Sequence, residues 1–155
     1  MRTSFIIIMF TLILSSCSKI SDNGALDGKW RLYEMYTKPH AESSQYITTE
    51  LTDRKSAVIY WNIQLRLIAI SSGEKVNGYT HNTVARFNYN GTSLHVGPVY
   101  IHYRDRDSLL TDPTNTSLVP LGIRGNATDY SIKQLNSTTM VLCSRHDSLI
   151  FHKLH

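Results

Sequence analysis

Ile59-Tyr60-Trp61-Asn62-Ile63-Gln64-Leu65 is the stretch whose reading decides the fold. Ile59, Trp61, Ile63, Leu65 and then Leu67 share one side of an extended chain, while Tyr60, Asn62, Gln64 and Arg66 share the other. A period of two belongs to a half-buried strand, because successive Cβ atoms point to opposite faces. The pattern persists from about Ser56 to Ile70, longer than an ordinary strand. That length predicts one bent strand shared between two parts of a curled sheet.

The same period recurs on both sides. Toward the N-terminus, Trp30 and Leu32 alternate with Arg31 and Tyr33 in a strand that runs to about Tyr36, and Gln45 to Leu51 reads as a weak edge strand. Ser71-Ser72-Gly73-Glu74-Lys75 and Asn77-Gly78 interrupt the chain. Val84–Tyr89 and Ser93–Val96 then flank Asn90-Gly91, a strong hairpin signal because both residues accept positive φ. Val99 to Tyr103 reads as a further strand. Asp105 to Asn126 is the longest irregular stretch, and its apolar knot Leu118-Val119-Pro120-Leu121-Gly122-Ile123 predicts a plug or lid on one end of the domain. Three strands follow: Tyr130 to Leu135, Thr139 to Ser144 with Met140 and Leu142 inward, and Ser148 to Lys153 with Leu149 and Phe151 inward. No helix of ten residues is expected. An antiparallel sheet of about eight strands protects its edges by closing or by pairing as a sandwich; the hairpin connections favour an all-β, antiparallel, up-and-down barrel over a Greek-key sandwich.

Composition agrees with one globular domain. The chain has 155 residues, 41% of them hydrophobic and 18% charged, too apolar for a disordered segment. The net charge of +4 is modest and its signs alternate, as in Arg104-Asp105-Arg106-Asp107. Nucleic acid is therefore excluded as an expected partner, since phosphate binding needs clustered cations.

The N-terminus carries an address. Met1-Arg2 precedes a ten-residue apolar run, Phe5 to Leu14, and the small residues Ser15-Ser16 follow it, the layout of a secretory signal. Ten residues rise only about 15 Å as a helix, half of a hydrocarbon core. Leu14-Ser15-Ser16-Cys17 resembles the lipobox of bacterial lipoproteins at all four positions. The resemblance implies a signal peptide at 1–16, lipidation of Cys17 as the mature first residue, a tether at 17–25 and a domain at 26–155. Lipid on Cys17 would leave Cys143 as the one remaining cysteine, so no internal disulfide is expected. Ser18 to Ala25 would act as a flexible leash of about 16 Å. In lipoproteins of gut-dwelling Gram-negative bacteria an acidic run after the cysteine marks surface export. Ser18-Lys19-Ile20-Ser21-Asp22 departs from it, so the resemblance implies the outer membrane, with the periplasmic face favoured over the cell surface.

Leu26-Asp27-Gly28-Lys29-Trp30 looks like the start of lipocalin-type barrels, where Gly-x-Trp opens the first strand. The resemblance implies that Gly28 lets the chain turn tightly, that Trp30 closes the barrel bottom, and that a basic residue of the last strand covers its ring. Lys153, in phase with Leu149 and Phe151, is the first choice and Arg145 the second. With its Leu149-Ile150-Phe151-His152-Lys153 ending, the chain is similar to small lipocalin-like lipoproteins of Bacteroidetes, which mostly have no assigned ligand.

Catalytic and metal chemistry find little support. The seven histidines lack ligand spacing, since His95 and His102 straddle Gly97-Pro98 and His152 and His155 differ in parity. Ser144-Arg145-His146-Asp147-Ser148 contains triad residue types, but neighbours on a strand face opposite ways, so it reads as a hairpin turn. Cys143 reads as a small packed side chain. Asp105 and Asp107 read as loop charges neutralised by adjacent arginines, and the Asn-x-Ser/Thr triplets at Asn90, Asn115, Asn126 and Asn136 as turns.

What remains is the inner face. Trp61, Ile63, Leu65, Phe87, Tyr89, Tyr130, Met140 and Phe151 are the candidate cavity lining. Eight strands enclose an interior that side chains just fill or that holds one small ligand. The expected function is that of a non-enzymatic, lipid-anchored envelope protein without cofactor, its barrel open to a small apolar ligand. The alternative is a protein-interaction module (accessory, inhibitor or adhesin lipoprotein) with a filled core, meeting an envelope protein partner through its loops.

Overall fold

The computed structural model describes residues 21–45, 47–49, 58–73, 82–102 and 106–155. The signal peptide, Cys17, Ser18 to Ile20, the Asn77-Gly78 break, His81, Tyr103 and Asp105 lie outside the described residues. Among the described residues ten strands are formed: β1 (Gly28–Thr37), β2 (Ile47–Thr49), β3 (Ile59–Gln64), β4 (Leu67–Ser72), β5 (Asn82–Tyr89), β6 (Ser93–His102), β7 (Asp107–Leu109), β8 (Thr128–Leu135), β9 (Thr139–Cys143) and β10 (Asp147–Leu154). Eight of them, β1-β3-β4-β5-β6-β8-β9-β10, follow one another as antiparallel neighbours. β10 returns to pair with β1 from Lys29↔Leu154 to Thr37↔Asp147, which closes the barrel. The expected all-β up-and-down barrel is therefore what the chain forms. β2 and β7 are short additions to the far halves of β1 and β6.

Closure removes the open edges of a sheet, and the alternation supplies the core. Trp30, Leu32 and Met35 of β1, Ile59, Trp61 and Ile63 of β3, Ile68 and Ile70 of β4, and Leu149 and Phe151 of β10 are all buried. A bulge between Leu32 and Glu34 shifts the phase of β1, so Met35 and not Glu34 turns inward.

One prediction is corrected. Of the stretch Ser56 to Ile70, the described part from Ile59 is not a single bent strand but a hairpin, with Gln64 paired to Leu67 across a two-residue turn at Leu65-Arg66. The turn restarts the parity, so Ile68 and Ile70 point in while Leu65 and Leu67 stand 57% and 44% exposed. Nothing in the residue types announces it: Leu65 takes φ +57°, where such turns usually place glycine or asparagine. A leucine held there costs about 1–2 kcal/mol. The long bent strand is instead β6, whose first half pairs with β8 and whose second half pairs with β7.

Asn-x-Ser/Thr does mark turns. The Asn90, Asn115 and Asn136 Oδ1 atoms each accept the backbone N–H two residues on, at 3.1, 2.9 and 2.9 Å. Such side-chain bonds imitate a backbone turn. In the β5–β6 turn only Gly91, and not Asn90, takes a positive φ. Asn90 works as the acceptor instead, for Thr92 and Ser93.

Alternation of the strands defines two ends. The first end holds the start of β1, the Leu65-Arg66, Asn90–Ser93 and Asn136–Thr138 turns, and the end of β10. The opposite end holds the Ser144–His146 turn and the long connection from β7 to β8.

Candidate functional site

At the first end, Gly28, Trp30 and Lys153 come together as the resemblance implied. Trp30 is fully buried and donates its indole N–H to the Leu26 carbonyl at 2.8 Å, on the 3-10 turn Gly24–Leu26. Lys153 lies over the indole, with Nζ 4.9 Å from the ring centre, and donates to the Ala25 carbonyl at 2.9 Å. A cation so placed contributes about 0.5–2 kcal/mol. Gly28 makes room for it: its φ is +134°, and a Cβ there would come within 2.5 Å of Lys153 Cε. Arg145, the second choice for this role, is exposed in the turn at the other end.

Within the tether expected at 17–25, the described residues Ser21 to Ala25 are bonded to the domain. Ser21 and Asn23 donate to the Asp27 carboxylate at 2.9 and 2.6 Å, and Asn23 Nδ2 donates to the Leu65 carbonyl at 2.7 Å. Burial pushes the Asp27 carboxyl up, but the hydrogen bonds from Asn23 and Ser21, with the nearby Lys153 charge, outweigh it and hold the group below its ordinary value. Leu26 is fully buried. The chain is thus fastened to the barrel from Ser21 onward.

Inside, Trp61, Ile63, Phe87, Tyr130, Met140 and Phe151 do converge, each 3% exposed or less. Trp61 packs edge-on to Tyr130 at 6.1 Å and against Phe151 at 4.9 Å. Tyr89 is only partly buried, against the rim of this core. Leu65, expected among them, lies outside the barrel on the turn, for the parity reason given above.

The apolar knot fills the space these residues leave. Val119–Leu121 forms a 3-10 turn, and Leu118, Leu121 and Ile123 are all fully buried in the same core cluster as the strand residues. Trp61 Nε1 donates to the Leu121 carbonyl at 3.0 Å, and the Tyr130 hydroxyl donates to the Gly122 carbonyl. Burial pushes the Tyr130 phenol far above its ordinary value, with the nearby Asp147 charge adding to the effect. A Cβ on Gly122 would lie 2.8 Å from Leu149 Cδ1 and 3.3 Å from Trp61 Cζ2, so the plug is seated against both walls. The expected plug is present, and it enters from the end opposite Gly28.

A latch that the sequence reading missed holds the plug. Arg124, just after the knot, donates to Asp147 through Nε at 2.5 Å and Nη2 at 2.9 Å. Thr37 Oγ1 donates to the same carboxylate at 2.8 Å. Asp147 is 1% exposed, and the bidentate partner is what makes a buried carboxylate tolerable. Ser144 Oγ accepts the Asp147 N–H at 2.9 Å, so the Ser144–Ser148 stretch is the hairpin turn it was read to be. Its aspartate nevertheless has a role no turn reading supplies.

The remaining polar residues are placed singly. His95 and Asp129 meet across β6 and β8 at 2.6 Å. His102 meets Asp107 at 2.6 Å, so Asp107 is a strand residue paired with a histidine and not the arginine-neutralised loop residue expected. His152 stacks on Tyr33 at 4.5 Å. Cys143 points outward, half-buried, with Sγ 3.4 Å from Ser148 Oγ. Among the described residues no three His, Cys, Asp or Glu side chains are grouped to hold a metal ion. Among the described residues, three concave features open outside the barrel. Two flank Leu65 at the first end, of about 800 and 730 Å³, and a third of about 370 Å³ lies beside Arg124.

The chain is similar in structure to a lipocalin-like protein from Bacteroides uniformis, with a TM-score of 0.51 and 16% identity over 84% of this chain and 100% of that one. An uncharacterized protein from Bacteroides eggerthii aligns with a TM-score of 0.51 and 13% identity over 83% of this chain and 98% of its own. At these identities the likeness is one of fold. No curated protein matches. Residues 12–154 match the sequence model of the lipocalin-like domain, which spans nearly the whole chain, and the protein belongs to that lipocalin-like family.

Proposed function

We propose that the chain is a non-enzymatic, lipid-anchored protein of the bacterial envelope, held in the outer membrane through acylated Cys17 and facing the periplasm. Its barrel acts as a filled scaffold that presents its outer surface and loops to an envelope protein partner. The observation that carries this reading is the Leu118–Ile123 plug. It occupies the interior with three fully buried side chains and is bonded there by Trp61 and Tyr130. A small apolar ligand would have to displace that plug, breaking two buried hydrogen bonds and reopening the Arg124–Asp147 latch.

Two measurements test the proposal in full-length protein. Cys17→Ser should move the protein from the membrane to the soluble fraction; unchanged fractionation refutes the anchor. Purified protein should bind no fluorescent fatty acid and release no lipid on extraction, while cross-linking in intact cells should enrich a discrete protein partner. Saturable one-to-one fatty-acid binding would instead establish the carrier reading.

A further inference from the structure

The first end of the barrel combines features that folding does not require. Leu65 projects from a hairpin tip, 57% exposed and in a backbone conformation that leucine rarely adopts. Leu67, two residues on, and Leu154, at the end of β10, are also exposed at this end, 44% and 40%. Lys29, Arg66 and Arg86 are exposed around these leucines, and Arg86 lies directly opposite Leu67 in the β4–β5 register. Lys153 lines the same hollow but is engaged by the Trp30 ring and the Ala25 carbonyl. Among the described residues, the carboxylates lining the same hollow are Asp22 and Asp27, and Asp27 is already engaged by Ser21 and Asn23.

We propose that this end is a membrane seat: Leu65 and Leu67 enter the interfacial layer of an anionic phospholipid bilayer while Lys29, Arg66 and Arg86 meet its headgroups. The inference rests on the anchoring of Cys17 proposed above and adds an orientation to it. Chain length points to this occupant. Asn23 is bonded to the Leu65 carbonyl at the hairpin tip itself, so only six residues separate Cys17 from that tip. Fully extended they reach about 20 Å, comparable to the barrel end and shorter than the barrel plus its loops. The lipid-bearing cysteine therefore cannot hold the opposite, plugged end against the bilayer. Charge complementarity points the same way, because cations flanking apolar tips are the arrangement that interfacial proteins use on anionic lipid.

The test uses lipidated full-length protein in vesicles of phosphatidylethanolamine and phosphatidylglycerol, three to one, containing lipid spin-labelled near the top of the acyl chain. Leu65→Trp provides the reporter, and Leu67→Trp repeats it in regular strand backbone. Thr116→Trp, in the loop at the opposite end, is the control. With the native tryptophan signal subtracted, the reporters at 65 and 67 should be quenched at least threefold more than the one at 116. That excess should shrink when phosphatidylglycerol is omitted. Equal quenching at both ends, with acylation of Cys17 verified by mass, overturns the seat and leaves the anchor standing. A mass without acyl chains overturns the anchor, and the seat with it.

Discussion

Trp30 and Trp61 face each other across β1 and β3, and each donates its indole N–H to the last residue of a 3-10 turn. Trp30 bonds Leu26 at 2.8 Å and Trp61 bonds Leu121 at 3.0 Å. One neighbouring pair of strand residues thereby secures the N-terminal closure and the plug that enters from the far end. Removing the donor while keeping an aromatic ring isolates this bond. Trp61→Phe should leave the Leu121 carbonyl unpaired and cost about 1–3 kcal/mol, lowering Tm by about 3–10 °C in a thermal melt followed by circular dichroism.

Gly28 and Lys153 form a second coupled pair. Gly28→Ala places a Cβ where Lys153 Cε lies and forces alanine to φ +134°, so a loss of about 1–3 kcal/mol is expected. Lys153→Ala alone should cost about 1 kcal/mol through the lost contact with Trp30. Because the two changes disturb the same contact, the double variant should lose less than the two single losses together in urea denaturation. Strict additivity would mean that Gly28 serves the backbone turn alone.

The latch predicts an asymmetry. Arg124→Met strands a carboxylate that is 1% exposed, whereas Asp147→Asn leaves a guanidinium that is 28% exposed and can turn to water. We expect about 3 kcal/mol for the arginine variant and about 1–2 kcal/mol for the aspartate variant, measured by urea denaturation. Reversed magnitudes would place the main cost of the pair on the arginine.

Alkali should act through Tyr130. Its folded-state pKa is raised by burial, so the folded protein holds the phenolic proton more tightly than the unfolded chain does. The stability this contributes is fully present below the unfolded value near pH 10 and declines as pH rises above it. In an absorbance titration of the nine tyrosines, one should ionise only together with loss of the native circular dichroism signal. Tyr130→Phe should remove that late-titrating group.

Leu65→Gly separates folding from surface use. Glycine adopts φ +57° without penalty, so thermal stability should rise, by about 1 kcal/mol, although an exposed apolar side chain is lost. A fall in stability would show that the leucine packs on the barrel after all.

Much of the barrel was legible along the chain. Ile59 to Ile63, Phe87 on β5, and Leu149 to Phe151 declare their inward faces by parity, a property of adjacent residues alone. Asn90 and Asn136 declare turns through their own side chains. Trp30, Gly28 and Lys153 were brought together by resemblance to a family, and their geometry agrees with it. Leu65-Arg66 was not legible, since the residue types there continue the alternation and the turn is imposed by β4 pairing back on β3.

By itself, then, the sequence determined the class of fold, because a period of two with hairpin turns leaves an antiparallel sheet little choice but to close. Tertiary structure alone decided what fills that barrel and what holds it shut. Arg124 reaches Asp147 across 23 residues, Trp61 reaches Leu121 across 60, and Lys153 reaches Ala25 across 128. Contacts of that separation leave no periodic trace in the chain. They arise only once β10 closes on β1 and the enclosed space must be packed, with Trp30, Trp61, Tyr130 and Asp147 each given a partner.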